Sequence, residues 1–174
     1  VISLSYFNEV AAGSLAIKSD EFVFDKYRQE ICFGTPVSNE VEVDSLHAIE
    51  TKTSKLLNYL KHKYPGQNWG NYIKDNKIIW ENIIVSGHSQ GSGHACYLAK
   101  MFAVHKVVMF AGPNDFNSNL NLSANWLGKV GKTNLNKHFA LLHEKDEVIS
   151  YAFQINNFRK LGVLQPNELP FLVE

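Results

Sequence analysis

The sequence predicts an α/β domain in which a mainly parallel β-sheet is flanked by helices on both faces. Strand patterns alternate with amphipathic helix patterns along the chain, as in βαβ units. Polar residues capable of chemistry follow the ends of several predicted strands, where ligands bind in parallel sheets. The length of 174 residues suits one domain with a sizeable core. We therefore expect residues 1–174 to form a single domain.

The first half of the chain contains one predicted strand and one clear helix. Residues 1–6 alternate apolar and small side chains, which is typical of a strand. Residues 8–42 are ambiguous, although Asp20 is a candidate cap for a short helix that continues to Arg28. An amphipathic stripe from Leu46 to Leu60 predicts a helix, which Asp44 or Ser45 caps and which the pair Pro65-Gly66 ends.

The second half predicts the sheet. An apolar run over residues 106–111 is continuous, which suits a parallel strand covered on both faces. Residues 116–136 predict a loop or a short helix across the strand ends. The remaining predicted strands cover residues 83–85 and 139–142, and the helices cover residues 92–103 and 148–161, the last with Gly162 as its C-cap.

Composition excludes several classes of function. Hydrophobic residues make up 45% of the chain and the formal net charge is zero. A neutral chain has no excess of basic residues to neutralise phosphates, so we do not expect a nucleic-acid partner. No apolar run reaches membrane-spanning length. The two cysteines, Cys32 and Cys96, are too few for a disulfide framework, and no metal-ligand spacing is present. We predict no metal and no cofactor, and localisation and oligomeric state stay open.

The segment Gly87-His88-Ser89-Gln90-Gly91 carries the strongest chemical signal. It is a G-x-S-x-G match between a predicted strand and a predicted helix, which is the context of a nucleophile elbow. Such a turn strains the serine backbone and lifts its hydroxyl above the sheet, and Gly87 and Gly91 leave room for it. The N–H of Gln90 then lies at a helix N-terminus, beside the charge of an attacked carbonyl oxygen. The motif predicts a serine hydrolase, and the alternative is a glycine-rich turn without a ligand.

A serine nucleophile needs a base, and the base needs an acid that orients it. Asp115 and Asp146 each follow a predicted strand after Ser89, so both are candidates for the acid. Asp146 is alternatively a cap for the helix predicted from Val148.

These motifs resemble the α/β-hydrolase superfamily over nearly the whole chain. Gly87–Gly91 resembles its elbow, and the segment from Leu142 to Val148 resembles the turn that bears its acid. The glutamine after the serine is similar to that of cutinases and related small esterases. The chain also resembles a group of bacterial α/β-hydrolase-like proteins with poorly defined substrates, in the segments Leu4–Tyr6, Gly87–Ala95, Val108–Asp115 and Leu161–Val163.

The resemblance implies a function and roles for three residues. It implies hydrolysis of a carboxylic ester through an acyl-enzyme, with Ser89 as the nucleophile and the N–H of Gln90 as half of the oxyanion hole. It favours Asp146 over Asp115 as the acid. The partner would be a small-molecule ester, whose acyl group and alcohol the sequence leaves open.

The base is missing from its expected place. In the family the histidine lies beyond the acid, after one more strand, but no histidine follows Asp146. The family's oxyanion loop precedes the strand that corresponds to residues 1–6. We therefore expect a domain that lacks its first strands and its last strand, with a base outside the chain and little turnover from these residues alone.

Two alternatives stay open. His143 ends a predicted strand and is a candidate base, oriented by Asp115 or Asp146. An incomplete triad also fits a binding or scaffold domain that keeps the elbow and performs no chemistry. Near the strand ends, Phe116, Trp126 and Leu127 either line an apolar pocket or pack as a lid.

Overall fold

The N-terminal half of the protein is mainly helical. The structure is a computed structural model that describes residues 1–168 and 170. A 3₁₀ helix (Ala12–Ile17) comes first and is followed by two α-helices, α1 (Val23–Phe33) and α2 (Ile49–Lys63). A short antiparallel hairpin follows, formed by β1 (Ile73–Lys74) and β2 (Lys77–Ile78).

The predicted strand at the start of the chain is wrong. Residues 1–8 have no regular secondary structure, and Leu4 and Tyr6 pack against the hydrophobic core instead. A strand requires a neighbour that completes its backbone hydrogen bonds, and no described strand pairs with this segment. Alternation of apolar residues alone did not reveal that the partner is missing.

The C-terminal half contains the three predicted strands and the two predicted helices, but a short antiparallel hairpin that was not predicted lies between the second and third of these strands. Ligands in α/β folds bind where the carboxyl ends of parallel strands lie. Its elements are β3 (Ile84–His88), α3 (Gln90–Met101), β4 (Lys106–Phe110), β5 (Phe116–Asn117), β6 (Leu122–Ser123), β7 (His138–Leu141) and α4 (Tyr151–Leu161).

A three-stranded parallel sheet positions the candidate site. Its strand order is β3-β4-β7, so β4 is central. His88 at the end of β3 pairs with Phe110 at the end of β4, and Phe110 pairs with Leu141 at the end of β7. The carboxyl ends of all three strands therefore lie side by side at one edge of the sheet, and Ser89, Asp115 and Asp146 all follow that edge. The mixed α/β architecture with a parallel sheet agrees with the fold class predicted.

The two faces of this sheet differ. On one face Val107 and Met109 are fully buried, and helix α3 packs against β3 and β4. On the other face Ile84 and Leu141 are each more than half exposed. The described residues therefore cover one face, whereas helices were predicted on both. A continuous apolar run marks residues able to be buried, but it does not supply the elements that would bury them.

Helix α4 begins three residues later than predicted. Val148 and Ile149 donate their backbone N–H groups to the Asp146 side chain and lie in a loop, and the helix starts at Tyr151. Its end agrees with the prediction, since Gly162 adopts the left-handed conformation with φ of 85°. Within the described residues, no helix combines the length and the apolar character needed to cross a bilayer.

Candidate functional site

Ser89 occupies a strained turn between β3 and α3. Its φ of 52° and ψ of −117° are unfavourable for a residue with a side chain, and such strain typically costs about 1–3 kcal/mol. Neighbours hold the conformation. The N–H of Ser89 donates to the carbonyl of Phe110 at 2.8 Å, and the N–H of Ser92 donates to the carbonyl of Ser89 at 3.0 Å. The surrounding structure thus imposes this backbone on Ser89.

Of the two glycines that flank the turn, only Gly87 is sterically required. A Cβ on Gly87 would collide with the backbone of Gly91, so strand and helix approach this closely only because position 87 has no side chain. A Cβ on Gly91 would meet only the hydroxyl of Tyr6, at an ordinary 3.7 Å. The expectation that Gly91 also leaves room for the turn is therefore wrong.

The side chain of Ser89 does not serve the helix that it precedes. Serine at this position commonly caps a helix by accepting an N–H of the first turn, but Ser89 makes no such bond. The Nδ2 atom of Asn114 lies 3.4 Å from its Oγ instead. The hydroxyl is half-buried at the sheet edge and free of a capping role, which is a requirement for a nucleophile.

Gln90 begins α3, so its backbone N–H belongs to the first turn, where N–H groups have no acceptor within the helix. Its side chain has a different task. The Oε1 atom accepts from the N–H of Ala12 at 2.8 Å, and Nε2 donates to the side chain of Asn8 at 2.7 Å. These hydrogen bonds connect residues 8–12 to the start of α3, beside the turn at Ser89.

Asp115 is fully buried, and both of its carboxylate oxygens accept hydrogen bonds. Arg28 donates two hydrogen bonds to it, from Nε at 2.9 Å and from Nη2 at 2.5 Å. The indole N–H of Trp126 donates a third at 2.8 Å. Removing one partner of such a buried pair would leave an uncompensated charge, so this carboxylate is committed to the core. Within the described residues no histidine forms a hydrogen bond with it.

Sequence reasoning missed Arg28. This side chain is also fully buried, and its Nη1 donates to the carbonyl of Gln90 at 2.9 Å, which links α1 to the first turn of α3. A Cβ at Gly93 would collide with the guanidinium. A glycine inside a helix is unfavourable unless something approaches closely, so Gly93 was a usable signal for a neighbour, although it did not identify Arg28.

Asp146 is accessible where Asp115 is not. It lies partly exposed in the loop after β7, and its Oδ1 accepts the N–H groups of Val148 and Ile149 at 2.9 and 3.0 Å. Its Oδ2 accepts one hydrogen bond, from Gln154 Nε2 at 3.2 Å. The bond from Ile149, with those from Val148 and Gln154, holds the pKa of Asp146 below its ordinary value. The side chain is therefore ionised at neutral pH.

No histidine nitrogen contacts Ser89 Oγ within residues 1–168 and 170. His143 lies exposed in the loop after β7, and its Nδ1 accepts the N–H of Lys145 at 3.1 Å. His88 lies on the exposed face of the sheet, paired with Phe110. His94 is buried against Tyr6, with ring centroids 4.7 Å apart. Burial, followed by the nearby charge of Arg28, holds the pKa of His94 well below its ordinary value.

The apolar residues near the strand ends pack into the core. Phe116, Trp126 and Leu127 are all buried, and Trp126 packs edge-on against Tyr97 with ring centroids 5.3 Å apart. Of the two expectations for these residues, packing agrees with the structure and a pocket lining does not.

The lining of the two surface clefts does not include the predicted site residues. One, of about 330 Å³, is lined by residues that include Tyr6, Val43 and Lys52. The other, of about 360 Å³, includes Asn82 and His105, which precede β3 and β4 and so lie at the opposite end of the sheet from Ser89. Neither cleft includes Ser89, Gln90 or Asp146.

Cys32 and Cys96 are both buried and unpaired with each other, and burial raises the pKa of each thiol to about 12. Across the part of the chain that the structure describes, no group of three or more His, Cys, Asp or Glu side chains converges as a metal ion would require.

Comparisons of the chain with protein-family models, with curated proteins and with solved structures found no match.

Proposed function

We propose that the protein is a serine hydrolase of the α/β-hydrolase type that cleaves a carboxylic ester, with Ser89 as the nucleophile. One observation carries the proposal. Ser89, a residue with a side chain, adopts φ of 52° between a parallel strand and a helix, while Gly87 admits the closely packed backbone of Gly91. Strain of this kind is concentrated at functional sites, and a serine in this turn is what a nucleophile elbow requires.

The chemistry follows from the hydroxyl. Ser89 Oγ attacks the ester carbonyl carbon and forms a new C–O bond, and its proton passes to a general base. Collapse of the tetrahedral intermediate breaks the bond to the alcohol, which leaves with that proton. Water, deprotonated by the same base, then attacks the acyl-enzyme, releases the acid and returns the proton to Ser89.

Two further residues have roles in this proposal. The N–H of Gln90, at the start of α3, donates to the negative oxygen of the intermediate, because helix N-termini favour developing negative charge. Asp146 orients the base. It is ionised and accessible in the loop after β7, whereas the carboxylate of Asp115 is occupied by Arg28 and Trp126.

We place the base on a histidine outside residues 1–174. His143 is the alternative within the chain. It belongs to the loop after β7, which lies two strand spacings from β3, or roughly 10 Å. A base must come within hydrogen-bond distance of the serine hydroxyl, so His143 would have to reach across the end of β4.

Hydrolysis of p-nitrophenyl acetate by the protein as encoded tests the function. We expect turnover that Ser89→Ala abolishes and that Ser86→Ala leaves unchanged, since Ser86 lies on the exposed face of β3. If the protein turns over no more ester than the Ser89→Ala variant, a binding or scaffold domain becomes the better account. Residues 1–174 alone should show little turnover. If residues 1–174 alone show robust Ser89-dependent turnover and His143→Gln abolishes it, His143 is the base.

A further inference from the structure

Asn114 brings a buried amide to the hydroxyl of Ser89. It follows the end of β4, is 6% exposed, and lies with its Nδ2 3.4 Å from Ser89 Oγ. The two residues are 25 positions apart in the chain. They meet because β3 and β4 are adjacent and parallel, and their last residues, His88 and Phe110, are paired.

The stability of the fold does not account for an asparagine at this position. Within the described residues the Oδ1 atom of Asn114 is buried without a hydrogen-bond partner. A buried polar atom left without a partner destabilises a protein, and an apolar side chain of similar volume avoids that cost. An asparagine here therefore costs stability, and among the described residues its side chain makes one hydrogen bond, to Ser89.

Every polar group of Ser89 thus contacts a neighbour, either in helix α3 or at the ends of β3 and β4. Its N–H is bound by Phe110, its carbonyl accepts from both the N–H and the hydroxyl of Ser92, and its Oγ faces Asn114. A serine hydroxyl offers one donor and two acceptor sites. An N–H donated by Asn114 uses one acceptor site and leaves the O–H free to be donated to a base.

We propose that Asn114 is a positioning residue that holds the Ser89 hydroxyl in the orientation for attack. The inference rests on the proposed serine-hydrolase function. Loss of the amide would let the hydroxyl rotate among its staggered positions, while substrate binding and the fold would be unaffected.

The rate at which a fluorophosphonate inactivates the protein as encoded measures the orientation of the hydroxyl. In this reaction the Oγ–P bond forms, the P–F bond breaks, and the hydroxyl proton passes to the base. For Asn114→Leu and Asn114→Ala we expect the maximal inactivation rate to fall about 100-fold, as for a misplaced catalytic group. The inhibitor concentration at half-maximal rate should be unchanged. The melting temperature of Asn114→Leu should equal or exceed that of the wild type.

Asn117→Ala is the matched control, because Asn117 is equally buried but binds the backbone of Lys18 and Leu120 instead of Ser89. It should lose stability and keep the wild-type inactivation rate. Asn114 variants that react as fast as the wild type, or whose rates fall only in step with their stability, overturn the inference and leave the proposed function standing. A wild-type protein that is not inactivated at all overturns both.

Discussion

The turn after β4 and the loop after β7 both place an aspartate at the same edge of the sheet, but the two carboxylates are in opposite situations. Asp115 is fully buried and accepts three hydrogen bonds from Arg28 and Trp126. Asp146 is partly exposed and accepts bonds mainly from the backbone of its own loop. In the sequence both are simply an aspartate that follows a strand.

The difference indicates that the two aspartates have different roles, one in stability and one in binding another group. A buried carboxylate paired with a guanidinium is committed to the fold, because removing either partner leaves an uncompensated charge. An exposed carboxylate on a surface loop contributes little to stability and is free to bind another group. We therefore assign Asp115 to stability and propose Asp146 for catalysis.

The largest effect is expected on catalysis from Asp146→Asn. The amide cannot stabilise the charged form of the base or fix its tautomer, so ester turnover should fall about 10⁴-fold. The variant should unfold at nearly the same urea concentration as the wild type. Kinetics and urea unfolding of the same preparation measure both quantities. If the variant retains most of its activity, Asp146 has no catalytic role.

The next largest effect is expected on stability from Arg28→Met. The change leaves Asp115 buried without its cation, which should lower the free energy of unfolding by about 3–5 kcal/mol. Lys26→Met is the control, since Lys26 pairs with Asp20 at 2.6 Å on the surface, and its loss should cost about 1 kcal/mol or less. Urea unfolding at neutral pH gives both values. Equal losses in the free energy of unfolding for the two variants would contradict the assignment of Asp115 to stability.

The smallest effect is expected in the pH dependence of stability. The folded state holds the pKa of His94 below its ordinary value, through burial and Arg28. Near pH 6.5 His94 becomes protonated in the unfolded chain but stays neutral in the folded chain. The free energy of unfolding should therefore fall as the pH is lowered from 7.5 to 5. One such group contributes at most about 1.4 kcal/mol per pH unit.

Protonation of Asp146 affects the free energy of unfolding only at lower pH. Its folded pKa is lowered, so its small contribution is complete above the unfolded value of about 4 and is lost only as the pH falls below it. In urea unfolding at several pH values, His94→Gln should flatten the slope between pH 7.5 and 5, and Asp146→Asn should not. His138, whose pKa burial also lowers, adds to the remaining slope. An unchanged slope in His94→Gln would contradict the account of the buried region.

The local features of the turn at Ser89 could be predicted from the sequence. The strand before Gly87 and the helix after Ser89 each have a pattern that involves only neighbouring residues, and the structure has both, as β3 and α3. The start of α4 was less predictable, because Asp146 accepts hydrogen bonds from the loop residues Val148 and Ile149, and the helix begins only at Tyr151.

Features that depend on distant residues could not be predicted. The pattern of residues 1–6 is that of a strand, but strand formation depends on a partner that no local pattern reports. Arg28 and Asp115 are 87 positions apart, and nothing near either residue indicates the other. Asn114 precedes Asp115 in a polar turn, and its contact with Ser89 appears only when β3 and β4 are paired.

Intact-mass measurement after treatment with a fluorophosphonate tests the central claim, that Ser89 is an activated nucleophile, most directly. The account predicts a single phosphonyl adduct on the protein as encoded. Peptide mapping should place the adduct on Ser89, and the Ser89→Ala variant should gain no mass. An unmodified wild-type protein, or an adduct that persists in Ser89→Ala, would contradict it.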